Sequence, residues 1–148
     1  MVQSNLKTLA LQHLARREHS RLELEKKLSK YAQTTEALAS TLDSLEQQGS
    51  LSASRVVESI KQSRRAKYGS LRIHHELKTK GIAEELIDCA MTDLQQTELD
   101  AARQIWQKKF GVFPEDWKTR GKQARFLASR GFSPEIINQV FASLSEEI

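Results

Sequence analysis

The sequence predicts an all-α protein, folded as an elongated, curved array of three tandem three-helix repeats of about 50 residues. Three observations carry that expectation. Gly and Pro number only 6 and 2 among 148 residues, while good helix formers (Leu, Ala, Glu, Lys, Gln, Arg) dominate. Apolar residues recur at a period near 50. Basic residues recur in blocks at the same period. The chain is 39% hydrophobic and 28% charged, which suits a folded protein rather than a disordered one. No apolar stretch approaches the roughly 20 residues needed to span a bilayer.

The repeats are expected at 1–49, 50–96 and 97–148, forming one continuous domain. In the first, a helix over about 5–17 precedes Ser20-Arg21-Leu22-Glu23, a capping box that starts a second helix running to about Tyr31. Thr34 or Thr35 caps the third helix, which Gly49 ends. In the second repeat Ser52 caps the first helix, Gly69-Ser70 restarts the chain and Gly81 closes the second helix. The third helix covers about 83–95. In the third repeat Thr97, three before Asp100, opens a helix to about Phe110, and Pro114 and Gly121 interrupt the region that follows. Gly131 then ends a helix, and Ser133-Pro134-Glu135 is a cap with proline at the first helical position.

Aligning the repeats at 49 and 50 residues brings Leu28, Leu77 and Leu127 together. Leu38, Leu42 and Leu45 then match Ile87, Met91 and Leu94, and these match Ile137, Phe141 and Leu144. Leu11, Ile60 and Phe110 keep the spacing, as do Glu36, Glu85 and Glu135, acids placed to favour a helix N-terminus. One triplet of helices buries little alone, so neighbouring triplets are expected to share their cores.

Net charge is +4, but its distribution is uneven. Residues 1–30, 55–80 and 103–130 carry +4, +6 and +6, and the segments after each carry −3, −6 and −3 with no Lys or Arg. All basic residues fall on the first two helices of each repeat or beside them. A repeated positive surface suits a long anionic partner, such as nucleic acid or a protein filament assembled on it. The candidate contacts are Arg16, Arg17 and Arg21 at the start of the second helix, and Arg64, Arg65, Lys67 and Arg72 at the equivalent place in repeat two. Arginine there can hold phosphate or carboxylate bidentately. Lys26, Lys27, Lys78, Lys80, Lys122, Arg125 and Arg130 extend the same set along the second helices.

Catalysis, metal and cofactors find no support. Adjacent His74 and His75 point roughly 100° apart on a helix and belong to no ligand motif. His19 is placed to assist the turn beside Ser20, and His13 is an ordinary helix residue. Cys89, the single cysteine, reads as a small core residue without the cationic setting of a nucleophile. The aromatic residues Trp106, Phe110, Phe113, Trp117, Phe126 and Phe132 read as core of an irregular third repeat, and Tyr68 as a surface candidate. There is no phosphate-cradling glycine loop and no nucleophile elbow. An enzyme is not expected. The first residues, Met1-Val2-Gln3-Ser4-Asn5, lack a secretory pattern, so a reduced cytoplasmic setting is expected. Without a heptad seam, a monomer is expected.

Three stretches resemble the RecX family of recombinase regulators. They are Leu14-Ala15-Arg16-Arg17-Glu18-His19-Ser20-Arg21-Leu22-Glu23-Leu24-Glu25-Lys26-Lys27-Leu28, then Lys67-Tyr68-Gly69-Ser70-Leu71-Arg72-Ile73 with Glu76-Leu77-Lys78-Thr79-Lys80-Gly81-Ile82, and Arg125-Phe126-Leu127 with Arg130-Gly131-Phe132-Ser133. The resemblance covers roughly 9–144. It implies three-helix repeats that lodge in the groove of the RecA filament on single-stranded DNA. It further implies restraint of RecA's ATPase, strand exchange and coprotease activity in DNA repair and the SOS response. The alternative from the residues alone is direct binding to single- or double-stranded DNA by helix-turn-helix-like triplets. Tyr31 stands where later repeats have glycine, so that turn must be built differently, and Lys118-Thr119-Arg120-Gly121 replaces Tyr68-Gly69-Ser70-Leu71.

Overall fold

A computed structural model describes residues 2–146; Met1 of the secretory reading, and Glu147 of the last acidic segment, lie outside them. The described chain is helical throughout, with no strand. The first repeat comprises α1 (Val2–Arg16), α2 (Arg21–Leu28), a 3-10 turn (Ser29–Tyr31) and α3 (Thr35–Gln47). The second comprises α4 (Ala53–Arg64), α5 (Ser70–Thr79) and α6 (Glu84–Gln96). The third comprises α7 (Glu98–Lys109), α8 (Trp117–Ser129) and α9 (Pro134–Glu146).

Local chemistry sets most of these boundaries. The Ser20 hydroxyl accepts from the Glu23 N–H while the Glu23 carboxylate accepts from the Ser20 N–H, closing the capping box. Thr34, Ser52, Asp116 and Ser133 cap α3, α4, α8 and α9 through their side-chain oxygens. Gly49, Gly81, Gly111 and Gly131 end their helices at positive φ. Two boundaries differ from expectation. Thr97 makes no capping bond to α7; α6 runs to Gln96, and the Thr97 hydroxyl accepts from Arg65 instead. Gly121 sits inside α8 rather than in a break. The irregularity falls earlier, where buried Gln123 accepts from the Trp106 indole at 2.7 Å and donates to the Val112 carbonyl at 3.2 Å, pinning the 111–116 loop.

Each repeat closes its own hydrophobic core. Leu6, Ala10, Leu24, Leu28, Leu42 and Leu45 fill the first, Val56, Ile60, Ile73, Leu77, Ile87 and Leu94 the second, and Ala102, Trp106, Leu127, Phe132, Val140 and Phe141 the third. The equivalent Leu28, Leu77 and Leu127 are all fully buried, each contributing about 2 kcal/mol of apolar transfer. The expectation of shared cores is therefore corrected. Adjacent repeats meet through polar groups, close backbone approaches and single apolar contacts such as Leu22 on Gly81, and Leu51, at the start of the second repeat, packs into the first core. Leu11 likewise departs from its aligned partners: it is exposed, and Leu6 and Ala10 take the core positions.

Candidate binding surface

The two joints between repeats follow one plan. The start of each second helix abuts the glycine end of the second helix in the next repeat. At the first joint Leu22 lies against Gly81, where an added Cβ would come within 3.0 Å of it. At the second, the Gly69 N–H donates to the Arg130 carbonyl at 2.7 Å and the Leu71 N–H to the Gly131 carbonyl at 3.0 Å. A Cβ on Gly69 would stand 2.5 Å from the Gly131 oxygen, so no side chain fits.

The second joint also holds a buried carboxylate that the sequence does not single out. Glu98 is 1% exposed; it accepts from Arg65 Nη1 at 2.6 Å, from the Ser70 N–H at 3.0 Å and from the Ser70 hydroxyl at 2.7 Å. Arg65 Nη2 donates to the Leu94 carbonyl and the Thr97 hydroxyl. Arg65 is thus engaged inside the fold, tying α4 to the α6–α7 corner.

Other candidate cations are divided between internal partners and solvent. Arg17 pairs with Glu23 at 2.6 Å, Arg21 with Asp43 and Glu46 at 2.7 and 2.6 Å, and Arg64 with Glu76 at 2.8 Å. Lys80 pairs with Glu76 at 3.0 Å and reaches Glu23 at 4.0 Å. Burial pushes the Glu23 carboxyl up, but the Arg17 guanidinium, the Ser20 N–H and the Lys80 charge outweigh it and hold the group at about 2. The Arg64 and Lys80 partners likewise outweigh burial and lower Glu76. Arg16, Lys26, Lys67, Lys78, Lys122 and Arg125 are exposed and in no ion pair with a described carboxylate. Lys27, also exposed, donates to His19 Nε2 at 2.9 Å, while His19 Nδ1 faces the Arg17 carbonyl at 3.1 Å. This arrangement suits a neutral ring protonated at Nδ1. Burial, with the Arg17 and Lys27 charges, lowers its pKa against the pull of that carbonyl and Glu23. His19 thus braces the turn before Ser20.

The aromatic expectations are partly corrected. Trp106 and Phe132 are buried and Phe110, Phe113 and Phe126 half-buried, but Trp117 is 85% exposed, because it occupies the first turn of α8 on the solvent side of the Asp116 cap. Cys89 is exposed rather than in the core. Tyr68 is half-buried against the second core and carries the Arg72 guanidinium 4.4 Å from its ring centre.

Tandem three-helix units joined head to tail define a helical repeat protein. Residues 54–91 match the sequence profile of the RecX second three-helix domain, and residues 96–141 that of the RecX third three-helix domain. The regulatory protein RecX of Ralstonia pickettii is 40% identical over 142 residues, covering 96% of this chain and 89% of that one. That of Herbaspirillum seropedicae is 44% identical over 137 residues, covering 93% and 89%. The crystal structure of RecX from Lactobacillus salivarius superposes with a TM-score of 0.85 at 19% identity over 98% of this chain and 97% of its own. The chain belongs to the RecX family of regulatory proteins.

Proposed function

We propose that this protein is a non-enzymatic cytoplasmic regulator, mainly an inhibitor, of the RecA recombinase. It binds along the groove of the RecA filament on single-stranded DNA and modulates ATPase, strand exchange and coprotease activity. The observation that supports this most is kinship with regulatory RecX proteins over nearly the whole chain. The exposed, unpaired cations distributed over all three repeats supply a physical means. A regulator without catalysis acts by binding filament states unequally, and cations spread along an array engage successive protomers.

Single-stranded-DNA-dependent ATP hydrolysis by the cognate RecA, titrated with this protein, tests the reading. Suppression well below one molecule per recombinase is expected. Lys26→Glu, Lys78→Glu and Lys122→Glu, one per repeat and none paired internally, should each raise the half-suppressing concentration several-fold and combine multiplicatively. Unchanged hydrolysis at stoichiometric protein would refute the assignment. Arg65→Glu would be unsuited as a probe, since it would break the buried Glu98 pair.

A further inference from the structure

The two joints bring the same helix ends together but differ in how their charge is balanced. Ser20 and Gly69 are the N-caps of α2 and α5, while Lys80 and Arg130 are the C-caps of α5 and α8. Registering the joints on these caps puts Glu18, Glu23, Glu76 and Lys80 of the first against Lys67, Arg72, Phe126 and Arg130 of the second. Three carboxylates and a lysine become three cations and a ring.

The consequences are visible in the contacts. At the first joint the cations are neutralised internally: Arg55 by Glu18 at 2.9 Å, Arg17 by Glu23, Arg64 by Glu76, and Lys80 by Glu76 and Glu23. At the second joint no described carboxylate pairs with Lys67, Arg72, Lys108, Lys109 or Arg130. Rings hold Arg72, Lys109 and Arg130 instead. The Arg130 guanidinium lies 5.0 Å from the Phe126 ring and 5.4 Å from that of Tyr68, and Lys109 lies 5.3 Å from Phe126. Between them opens a cleft of about 190 Å³, with Lys67, Lys108, Lys109 and Arg130 around Ile105 and Phe126.

We propose that this cleft is a phosphate site, and that its ligand is the sugar-phosphate backbone of a single nucleic-acid strand. Four cations on one small cleft exceed what a lone carboxylate side chain neutralises, whereas a strand brings a phosphate at every step. An arginine held by ring faces keeps its planar N–H edge available for bidentate contact with phosphate oxygens. Half-buried Phe126 offers apolar surface to the sugar, with buried Ile105 beneath it. The proposal concerns contact with the strand itself and stands independently of the RecA reading.

The test is fluorescence anisotropy of a labelled oligothymidylate of about 20 nucleotides, titrated with full-length protein across a salt series. Binding at about 50 mM salt is expected. Lys108→Gln with Lys109→Gln, both exposed, should weaken it on the order of tenfold or more and flatten the log–log salt slope by about 1.4, the value for two lost single-strand phosphate contacts. Phe126→Glu, which restores the carboxylate of the first joint, should have a similar effect by neutralising Arg130. The lysine pair keeps the test decisive if Phe126→Glu fails to fold. Lys7→Gln with Lys30→Gln removes the same charge from the first repeat and should change affinity less than about threefold.

An equal loss in that control would reduce the effect to net charge and overturn the proposal. Competition by pyrophosphate, beyond that of chloride at matched ionic strength, would make the ligand a free oxyanion and overturn the strand assignment. No oligothymidylate binding by the unmodified protein would overturn it as well. Were the cleft variants then to lose filament suppression, the cleft would belong to an acidic protein face.

Discussion

Replacing Glu98 by alanine would remove the acceptor for three donors at the second joint: Arg65 Nη1, the Ser70 N–H and the Ser70 hydroxyl. Glu98 is 1% exposed and the Arg65 side chain 19%, so water replaces the lost partner poorly. Breaking a buried ion pair from one side costs about 3–5 kcal/mol, and because all three lost hydrogen bonds are to a charged acceptor, each worth about 1.5–3 kcal/mol, the upper part of that range is expected. For a chain of this length that lowers the melting temperature by roughly 6–20 °C. Urea denaturation followed by circular dichroism measures the change directly. Because the joint rather than a core is lost, the transition should also broaden, as the third repeat unfolds partly on its own. Glu98→Gln keeps one oxygen for Ser70 and should cost less, about 1–3 kcal/mol. Combined with Arg65→Met, it should cost at least about 1 kcal/mol less than the sum of the single changes. A Glu98→Ala protein within about 1 kcal/mol of the parent would refute the view that this carboxylate holds the joint.

The pH dependence follows from Glu23, whose carboxyl lies at about 2 in the fold against an ordinary 4.5. A depressed acid stabilises the fold above its unfolded value, so this contribution is present at pH 7 and fades as pH falls from about 4.5 to 2. Glu23→Gln should therefore cost on the order of 2 kcal/mol at pH 7 and nearly nothing near pH 2, read from denaturation at several pH values. Gly69→Ala should destabilise by about 2–3 kcal/mol through its clash with the Gly131 backbone. Gly49→Ala, with φ of 78° and open space around it, should cost only about 1 kcal/mol in thermal denaturation. Cys89, being exposed, should react with one equivalent of a thiol reagent in the native protein, and a thiol that reacts only after denaturation would contradict its placement.

What the sequence revealed and what it concealed differ in physical kind. The core leucines and the caps Ser20, Thr34, Ser52 and Ser133 act within one helical turn or along one helix face, so spacing alone exposes them. Cys89 was also readable: Ile87, Ala90 and Leu94 define the buried face of α6, and a residue two positions from Ile87 points about 200° away. Arg65 and Glu98 gave no such signal. They stand 33 residues apart, and Glu98 alone looks like an ordinary acid in a helix's first turn. The contrast between joints needed both levels. The residue types at the cap positions lie in the sequence, but only the contacts show that carboxylates pair with the cations of one joint while rings hold Arg72, Lys109 and Arg130 at the other.

Tyr31 gives the array a direction. Each joint needs a donor, the start of a second helix, and an acceptor, the left-handed glycine that ends the next one. Gly81 receives Leu22 by close packing and Gly131 receives Leu71 through its carbonyl, but α2 runs into the 3-10 turn ending at Tyr31 and has no glycine there. The first repeat can therefore give its helix start to a neighbour but cannot receive one. A duplicated repeat placed ahead of it would find no seat, whereas Asp116 and exposed Trp117 leave the start of α8 uncovered. The repeats are thus not interchangeable, and a chain shuffled in order would fail at the position where a tyrosine stands in for glycine.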